Sequence, residues 1–270
     1  MKRLLLLLLF CDTVHAEGSY ALYDYERGEY QVAYNIEQIR PVASITKLFT
    51  AITVLRSGAE ITEKVKVQGR SGGHFPVGMM VSRNDLMHAM LVSSDNRAAE
   101  TLAMTYPGGF VQFVVDRDQY ILGHGLIHTH LDDATGLSES NKSTADDLIR
   151  FLSMIANNPT IRSMADDRTA EIVVPKGKKV LHILLHNTNP SIFKFDNILI
   201  SKTGFTNPAG RCVLMLVEKD HRLYGVIVLG QKNVQARTQL ANSLINAQPL
   251  PAKTPEFKQA DPITFDWTQF

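Results

Sequence analysis

The sequence of 270 residues has two cysteines, a single tryptophan and almost no excess of charge. Its formal net charge is +1, so a basic surface of the kind that binds nucleic acid is not expected. Hydrophobic residues make up 44% of the chain and charged residues 20%, which is the ordinary composition of a globular protein. The length suits one or two domains with a sizeable core.

Long hydrophobic runs are absent as well, apart from Leu4–Cys11 near the start of the chain. This run is too short to cross a bilayer, because a spanning helix needs about 20 apolar residues. It follows Lys2-Arg3 and precedes Val14-His15-Ala16, which offers small residues three and one positions before a cleavage point. The pattern predicts a secretory signal peptide over residues 1–16, and therefore an exported, periplasmic protein.

Removal of this peptide would leave Cys212 as the last cysteine, so the exported protein has to be stable without an internal disulfide. Cys212 opens an apolar run, which predicts a small buried hydrophobic residue rather than a catalytic thiol. Residues 17–248 are expected to form one domain. Residues 249–270 form a polar tail with four prolines and Trp267, and they contain no basic amphipathic helix that would predict a membrane anchor.

Sequences typical of β-strands stand at both ends of the expected domain, with helical patterns between them. Tyr20–Tyr25 and Tyr30–Tyr34 flank a turn sequence and predict a hairpin. Three further strands are predicted near the other end, at Asn197–Ser201, Arg211–Val217 and Leu223–Leu229. The strand predicted at Asn197–Ser201 is followed directly by Lys202.

Other segments resemble binding or catalytic sites, but the residues around them argue against these functions. A glycine-rich loop, residues 69–78, lacks the Gly-Lys-Ser/Thr of a phosphate-binding loop and is predicted to form a flexible rim of a cleft. His128-Thr129-His130 followed by Asp132-Asp133 would suit a metal, but no further His or Cys cluster joins them. His182 and His186 are expected to face solvent from a strand.

The helix predicted after Pro41 carries Ser44-Ile45-Thr46-Lys47. A serine and a lysine three residues apart share one helical face, so the lysine amine can reach the serine hydroxyl. The lysine acts as a base only if burial or a second cation disfavours its ammonium form. Roughly one such tetrapeptide is expected by chance in a chain of this length, and Ser191-Ile192-Phe193-Lys194 is interpreted as incidental.

Two tripeptides make it improbable that Ser44-Ile45-Thr46-Lys47 occurs by chance. Ser94-Asp95-Asn96 and Lys202-Thr203-Gly204 follow it in order. Together the three motifs are expected by chance in well below about one sequence in a hundred. The same trio occurs in penicillin-binding proteins and class A β-lactamases.

The chemistry of acyl transfer requires these residue types. Ser44 would attack an acyl carbonyl with Lys47 as its general base. Ser94 is placed to pass a proton to the departing amine. Asn96 is able to hold both Lys47 and a carbonyl of the substrate.

The third motif supplies contacts for the substrate. Lys202 would attract a carboxylate and, as a second cation, would keep the lysine base neutral; Thr203 adds a hydroxyl for that carboxylate. Gly204 would let a substrate lie against the strand edge. The backbone N–H groups of Ser44 and Phe205 are the expected oxyanion hole. No metal or cofactor is required.

Four further segments accompany the trio: Tyr106-Pro107-Gly108-Gly109, Thr135-Gly136-Leu137-Ser138, Ser143-Thr144-Ala145 and Asn187-Thr188-Asn189. The third motif also continues, as Lys202-Thr203-Gly204-Phe205-Thr206-Asn207. With them, the chain resembles the D-alanyl-D-alanine carboxypeptidases and endopeptidases, the low-molecular-weight penicillin-binding proteins, and is most similar to the murein DD-endopeptidases among them. The resemblance runs from Tyr20 to Ile245. One departure is Asp95, where those endopeptidases carry glutamate.

The resemblance implies an α+β, single-domain fold of the β-lactamase/DD-peptidase type. An antiparallel sheet of about five strands would be built from both chain ends. A helical insertion would lie between its second and third strands, with the site at their junction.

The resemblance also implies a function and partners. The favoured hypothesis is a periplasmic serine DD-peptidase that cleaves D-alanyl bonds of peptidoglycan stem peptides, in particular the D-alanyl–diaminopimelate cross-link, and that binds β-lactams. One alternative is a class A β-lactamase, but Glu139-Ser140-Asn141 does not match the glutamate followed by Leu-Asn that deacylation requires. The other is a penicillin or peptidoglycan sensor without turnover, against which the intact Ser94 and Asn96 argue.

Overall fold

The computed structural model describes residues 18–176 and 179–247. The predicted signal peptide and the polar tail lie outside these residues. Within them, no helix is both long enough and apolar enough to cross a membrane.

The described elements alternate between short strands and helices before the chain ends in three long strands and a helix. The strands are β1 (Ser19–Asp24), β2 (Glu29–Tyr34), β3 (Arg40–Pro41), β4 (Lys64–Lys66), β5 (Met80–Ser82), β6 (Lys142–Ser143), β7 (Thr169–Lys176), β8 (Lys179–His186), β9 (Ile198–Thr206), β10 (Gly210–Lys219) and β11 (Arg222–Gln231). The helices are α1 (Thr46–Arg56), α2 (Arg83–Val92), α3 (Asn96–Met104), α4 (Gly109–Gly123), α5 (Ala145–Ile155), α6 (Pro159–Ala165) and α7 (Val234–Asn246).

Five of the strands form one antiparallel sheet in the order β2-β1-β11-β10-β9. Ser19 of β1 pairs with Leu229 of β11, so the first hairpin joins the last three strands. The predicted sheet built from both chain ends is therefore confirmed. Strand β9, which carries Lys202, lies at the edge of the sheet, so one side of it is open toward the helical insertion.

Strands β10 and β11 are covered on both faces of the sheet, which explains their nearly continuous apolar sequences. Leu214 and Leu216 of β10 belong to the core shared with α5, whereas Val213 and Met215 belong to the core shared with α7. Alternate residues of a strand point to opposite faces. Both cores therefore hold β10 in place and fix the position of its neighbour β9.

Helix α1 is the centre of the helical insertion. All residues from Thr46 to Val54 are buried, which is typical of a helix enclosed on every side. It packs against α2, α3 and α4, and the ring of Phe49 stacks on Phe151 of α5 at 3.7 Å between centroids. Its first turn, which includes Lys47, is consequently fixed within the protein.

Side chains that precede the first turn cap helices α2 and α6. The N-cap of α2 is Ser82, whose hydroxyl accepts a hydrogen bond from the backbone N–H of Asp85 at 3.0 Å. Helix α6 is not predicted, because Asn158-Pro159 signals the end of a helix. The same pair also suits a helix start, with asparagine as the cap and proline in the first turn.

The glycine-rich loop is fastened to α3, although the sequence predicts a flexible rim. Asp95 accepts hydrogen bonds from the backbone N–H and Nδ1 of His74 at 2.5 and 2.8 Å. Glu100 accepts from the backbone N–H and hydroxyl of Ser71 at 3.0 and 2.7 Å, and Arg97 donates to the carbonyl of Ser71 at 3.0 Å. These hydrogen bonds hold the loop against the start of α3.

Candidate active site

Ser44 lies on a tight turn rather than inside the α-helix that the sequence predicts. A 3-10 turn, Ala43–Ile45, directly precedes α1. Ala43 has a φ of 49°, in the left-handed region that non-glycine residues rarely adopt. Such strained backbone occurs at functional sites when the surroundings hold it in place.

Two glycines hold this turn because they leave room for it. A Cβ at Gly136 would lie 1.9 Å from the carbonyl oxygen of Ala43, and one at Gly204 would lie 3.0 Å from the backbone nitrogen of Ser44. Gly204 is predicted to make space for a substrate, but its immediate neighbour is the turn that carries Ser44. Its missing side chain therefore serves the approach of β9 to the serine.

The amine of Lys47 is the centre of the site. Its Nζ lies 2.8 Å from Ser44 Oγ, 2.7 Å from Asn96 Oδ1 and 2.6 Å from the carbonyl oxygen of Thr135. The amide and carbonyl oxygens only accept hydrogen bonds, so they take the two N–H groups of a neutral amine. The remaining lone pair then faces the hydroxyl of Ser44, which is the arrangement that proton abstraction requires.

Burial makes this neutral form accessible. Lys47 is 0% exposed, and desolvation lowers its pKa to about 7, although Asp133, Asp95 and Glu100 act in the opposite direction. The sequence predicts that burial or the second cation, Lys202, keeps this base neutral. In the structure the largest cause is burial.

The carbonyl of Thr135 is held by a loop to which sequence reasoning gave no role. Asp133 accepts hydrogen bonds from the backbone N–H groups of Thr135 and Gly136, both at 2.6 Å, and of Ser138 at 2.7 Å. Burial by itself would raise the pKa of Asp133, but these hydrogen bonds outweigh it and the pKa is lowered. The ionised carboxylate thereby shapes the loop that supports Lys47.

Lys202 and Ser94 meet from different elements. Lys202 Nζ donates to Ser94 Oγ at 2.8 Å and to the carbonyl oxygen of Thr203 at 3.1 Å. Ser94 has a φ of 62° in the turn between α2 and α3. Burial first, then repulsion by Lys47 and Arg237, lowers the pKa of Lys202 well below its usual value. A bound carboxylate would favour the charged amine.

Sequence reasoning missed Arg237, whose charge contributes to the lowered pKa of Lys202. It lies in the first turn of α7, is 3% exposed, and its Nε has no hydrogen-bond partner among the described residues. Burial and the charge of Arg211 lower its pKa to about 10. A buried cation next to Lys202 with an unused donor is suited to an anion. No sequence pattern marks it, because a single arginine in a helix has no signature.

The remaining predicted residues lie along β9. Thr203 is 6% exposed and its Oγ1 is 2.6 Å from Oγ1 of Thr188. Phe205 is 44% exposed, and the guanidinium carbon of Arg211 lies 3.5 Å from the centre of its ring. Of the eight predicted site residues, Ser44 and Asn96 contact the amine of Lys47, and Ser94 and Thr203 contact that of Lys202. Gly204 adjoins the turn that carries Ser44, and Phe205 lies against Arg211.

Residues that the sequence set aside lie elsewhere or have other partners. The hydroxyl of Ser191 donates to Asn242 at 2.7 Å while Lys194 lies over the ring of Phe195, so the second Ser-x-x-Lys has no such pair. His182 is exposed on β8. Among residues 18–176 and 179–247, no group of three or more His, Cys, Asp or Glu is placed to hold a metal.

Cys212 is fully buried, as predicted. Burial raises the pKa of its thiol to about 11. A thiol with so high a pKa is inert near neutral pH.

The model of one protein family, described as D-alanyl-D-alanine carboxypeptidase, matches residues 11–233. The chain is 35% identical over 222 residues to a D-alanyl-D-alanine endopeptidase of Pseudomonas aeruginosa, an alignment that covers 79% of this chain and 71% of the relative. It is 32% identical, over the same shares of the two chains, to a D-alanyl-D-alanine endopeptidase of Escherichia coli.

Solved structures agree on the fold. The Streptomyces K15 DD-transpeptidase superposes with a TM-score of 0.81 at 22% identity, over 87% of this chain and 98% of that one. Penicillin-binding protein D2 of Listeria monocytogenes, in its ampicillin-bound form, superposes with a TM-score of 0.76 at 25% identity and the same coverage. Because the family model spans most of the chain and the identity extends over most of each relative, this chain belongs to the D-alanyl-D-alanine carboxypeptidase family, the serine DD-peptidases that act on peptidoglycan.

Proposed function

We propose that this protein is a periplasmic DD-endopeptidase that cleaves the D-alanyl–diaminopimelate cross-link through an acyl-enzyme at Ser44. The observation that carries the proposal is the fully buried amine of Lys47, 2.8 Å from Ser44 Oγ and with its pKa lowered to about 7. A serine becomes a nucleophile when such a base takes its proton. The two relatives of 35% and 32% identity, both named endopeptidases, support the choice of bond.

The reaction proceeds in two halves. The hydroxyl of Ser44 gives its proton to Lys47 and its oxygen forms a bond to the D-alanyl carbonyl carbon, whose oxygen becomes negative. Backbone N–H groups of Ser44 and Phe205 stabilise that charge. The C–N bond breaks as Ser94, next to Lys202, passes a proton to the leaving amine and takes in its place the proton that Lys47 received. In the second half, water gives a proton to the neutral Lys47 and its oxygen bonds to the ester carbonyl carbon. The ester C–O bond then breaks, and Lys47 returns the proton to the oxygen of Ser44.

Three groups would bind the carboxylate beside the scissile bond. Lys202 uses two of its three N–H groups on Ser94 and Thr203, the Nε of Arg237 is unused among the described residues, and Thr203 offers a hydroxyl. The diaminopimelate centre at a cross-link bears its amide nitrogen and a carboxylate on one carbon, as a terminal D-alanine does. The same cations therefore suit both kinds of leaving group.

Digestion of purified cross-linked muropeptides tests this function. We expect dimers to be converted to monomers, with products identified by mass, and we expect Ser44→Ala to be inactive. Pentapeptide monomers in the same digest serve as the internal comparison. Release of free D-alanine from them while the dimers stay intact would show a carboxypeptidase and contradict the endopeptidase assignment.

The domain boundaries and the location are part of the proposal. Residues 1–16 would be removed on export, residues 17–248 would form the catalytic domain, and residues 249–270 would follow as a tail. Mass spectrometry of the mature protein is expected to show Glu17 as its first residue. A retained leader, or a lipid on Cys11, would contradict this assignment.

A further inference from the structure

Thr188 contacts the carboxylate-binding strand from outside it. It follows β8, and its Oγ1 is 2.6 Å from Oγ1 of Thr203. Its backbone N–H donates to the carbonyl of Val92 at 3.3 Å, at the end of α2. The preceding Asn187 is anchored to Asp167, because its side chain donates to that carbonyl at 2.9 Å. The position of the Thr188 hydroxyl is thus set by the insertion and not by β9.

The direction of this hydrogen bond follows from counting protons. Each threonine hydroxyl has one proton to donate and two lone pairs to accept. A carboxylate only accepts, so Thr203 must give its proton to the substrate in order to bind it. Thr203 then has no proton left for Thr188. In the substrate complex, therefore, Thr188 donates to Thr203 and Thr203 donates to the carboxylate.

We propose that Thr188 is a positioning residue that fixes the hydroxyl of Thr203 as a donor toward the substrate carboxylate. The inference rests on the proposed function, since it requires Thr203 to bind that group. Thr203 is 6% exposed, and its hydroxyl lies 2.6 Å from that of Thr188, which is itself an exposed residue. Hydrogen bonds in a chain also polarise one another, which makes the last donor stronger.

The test compares two ligands that differ only in the carboxylate. Acylation of the full protein by benzylpenicillin and by benzylpenicillin methyl ester is measured by intact-protein mass spectrometry. Thr188→Val keeps the shape and removes the hydroxyl. We expect it to slow acylation by benzylpenicillin about three- to tenfold, as the loss of one hydrogen bond does, and to leave the rate with the ester within about twofold. Thr188→Ser should restore the benzylpenicillin rate.

The same substitution in a Thr203→Val protein distinguishes positioning of Thr203 from direct contact between Thr188 and the ligand. In Thr203→Val, the further change Thr188→Val should have no additional effect, because its target is gone. An additional loss would overturn the proposal, since Thr188 would then act on the ligand by itself. Equal slowing of both ligands in the single variant would also overturn it, because that result indicates only a structural link between the loop and β9.

Controls distinguish loss of folding from loss of the Thr188 hydroxyl. Thermal unfolding of each variant is followed by circular dichroism, and Thr188→Ala replaces Thr188→Val in the comparison with Thr188→Ser if the valine variant does not fold. If the unaltered protein is acylated by neither ligand, the proposed function fails. If it is acylated and the variants do not discriminate between the ligands, the role of Thr188 alone fails.

Discussion

Lys47→Arg is expected to lower the rate of acylation of Ser44 by about a thousandfold, within the range that general bases contribute. Arginine stays protonated at any accessible pH, so it has no lone pair for the serine proton. The site is also fully enclosed around the amine, which bonds to Asn96 Oδ1 and the carbonyl of Thr135. The effect is measured as the rate of acylation by benzylpenicillin. Circular dichroism spectra of the variant and the unaltered protein should match, which shows that both are folded.

The pH dependence of acylation tests the same assignment in the unaltered protein. The reactive form is the neutral amine, and burial lowers the pKa of Lys47 to about 7. Acylation should therefore fall about tenfold per pH unit below that value and level off above it. Activity would be lost on acidification, since the proton then occupies the lone pair that Ser44 needs.

Histidine variants provide the matched controls, because a histidine base would produce a similar pH profile. His182 and His186 are both exposed on β8, and neither bonds to Ser44 or Lys47. His182→Ala and His186→Ala should keep the acylation rate within a few-fold. If either one abolished acylation while Lys47→Arg did not, Lys47 would not be the base.

Benzylpenicillin is expected to stay bound to Ser44 for minutes or longer and to block muropeptide cleavage. Opening of the β-lactam ring forms an ester with the serine, but the released nitrogen remains tethered and obstructs the path of water. A β-lactamase overcomes this with a glutamate that activates a water. In this protein the three acids whose charges raise the pKa of Lys47 already accept hydrogen bonds from backbone N–H groups. Asp133 accepts from its own loop, and Asp95 and Glu100 accept from the glycine-rich loop.

Intact-protein mass spectrometry distinguishes the outcomes. One adduct per chain should form, and none should form in Ser44→Ala. Fast clearance of the drug without a lasting adduct would indicate a β-lactamase instead. Absence of any adduct on a folded protein would refute the catalytic arrangement itself.

The sequence by itself determined the parts of this protein that depend on local chemistry. Ser44 and Lys47 are three residues apart where a helix begins, so their spacing already predicts that they meet. The strands of the sheet were predictable because their apolar composition persists over many residues, and the trio of motifs predicted which lysines and serines lie together. The buried state of Cys212 also followed from its apolar neighbours.

Only the tertiary structure decided which distant segments complete the site. The carbonyl of Thr135, the guanidinium of Arg237 and the hydroxyl of Thr188 reach Lys47, Lys202 and Thr203 across the fold. Thr135 and Thr188 stand in segments that the family resemblance includes, but those segments do not indicate which atom each residue contacts. Arg237 stands in no motif. Their roles arise from contacts through space, and burial, which lowers the pKa of Lys47, is a property of the packed chain as a whole.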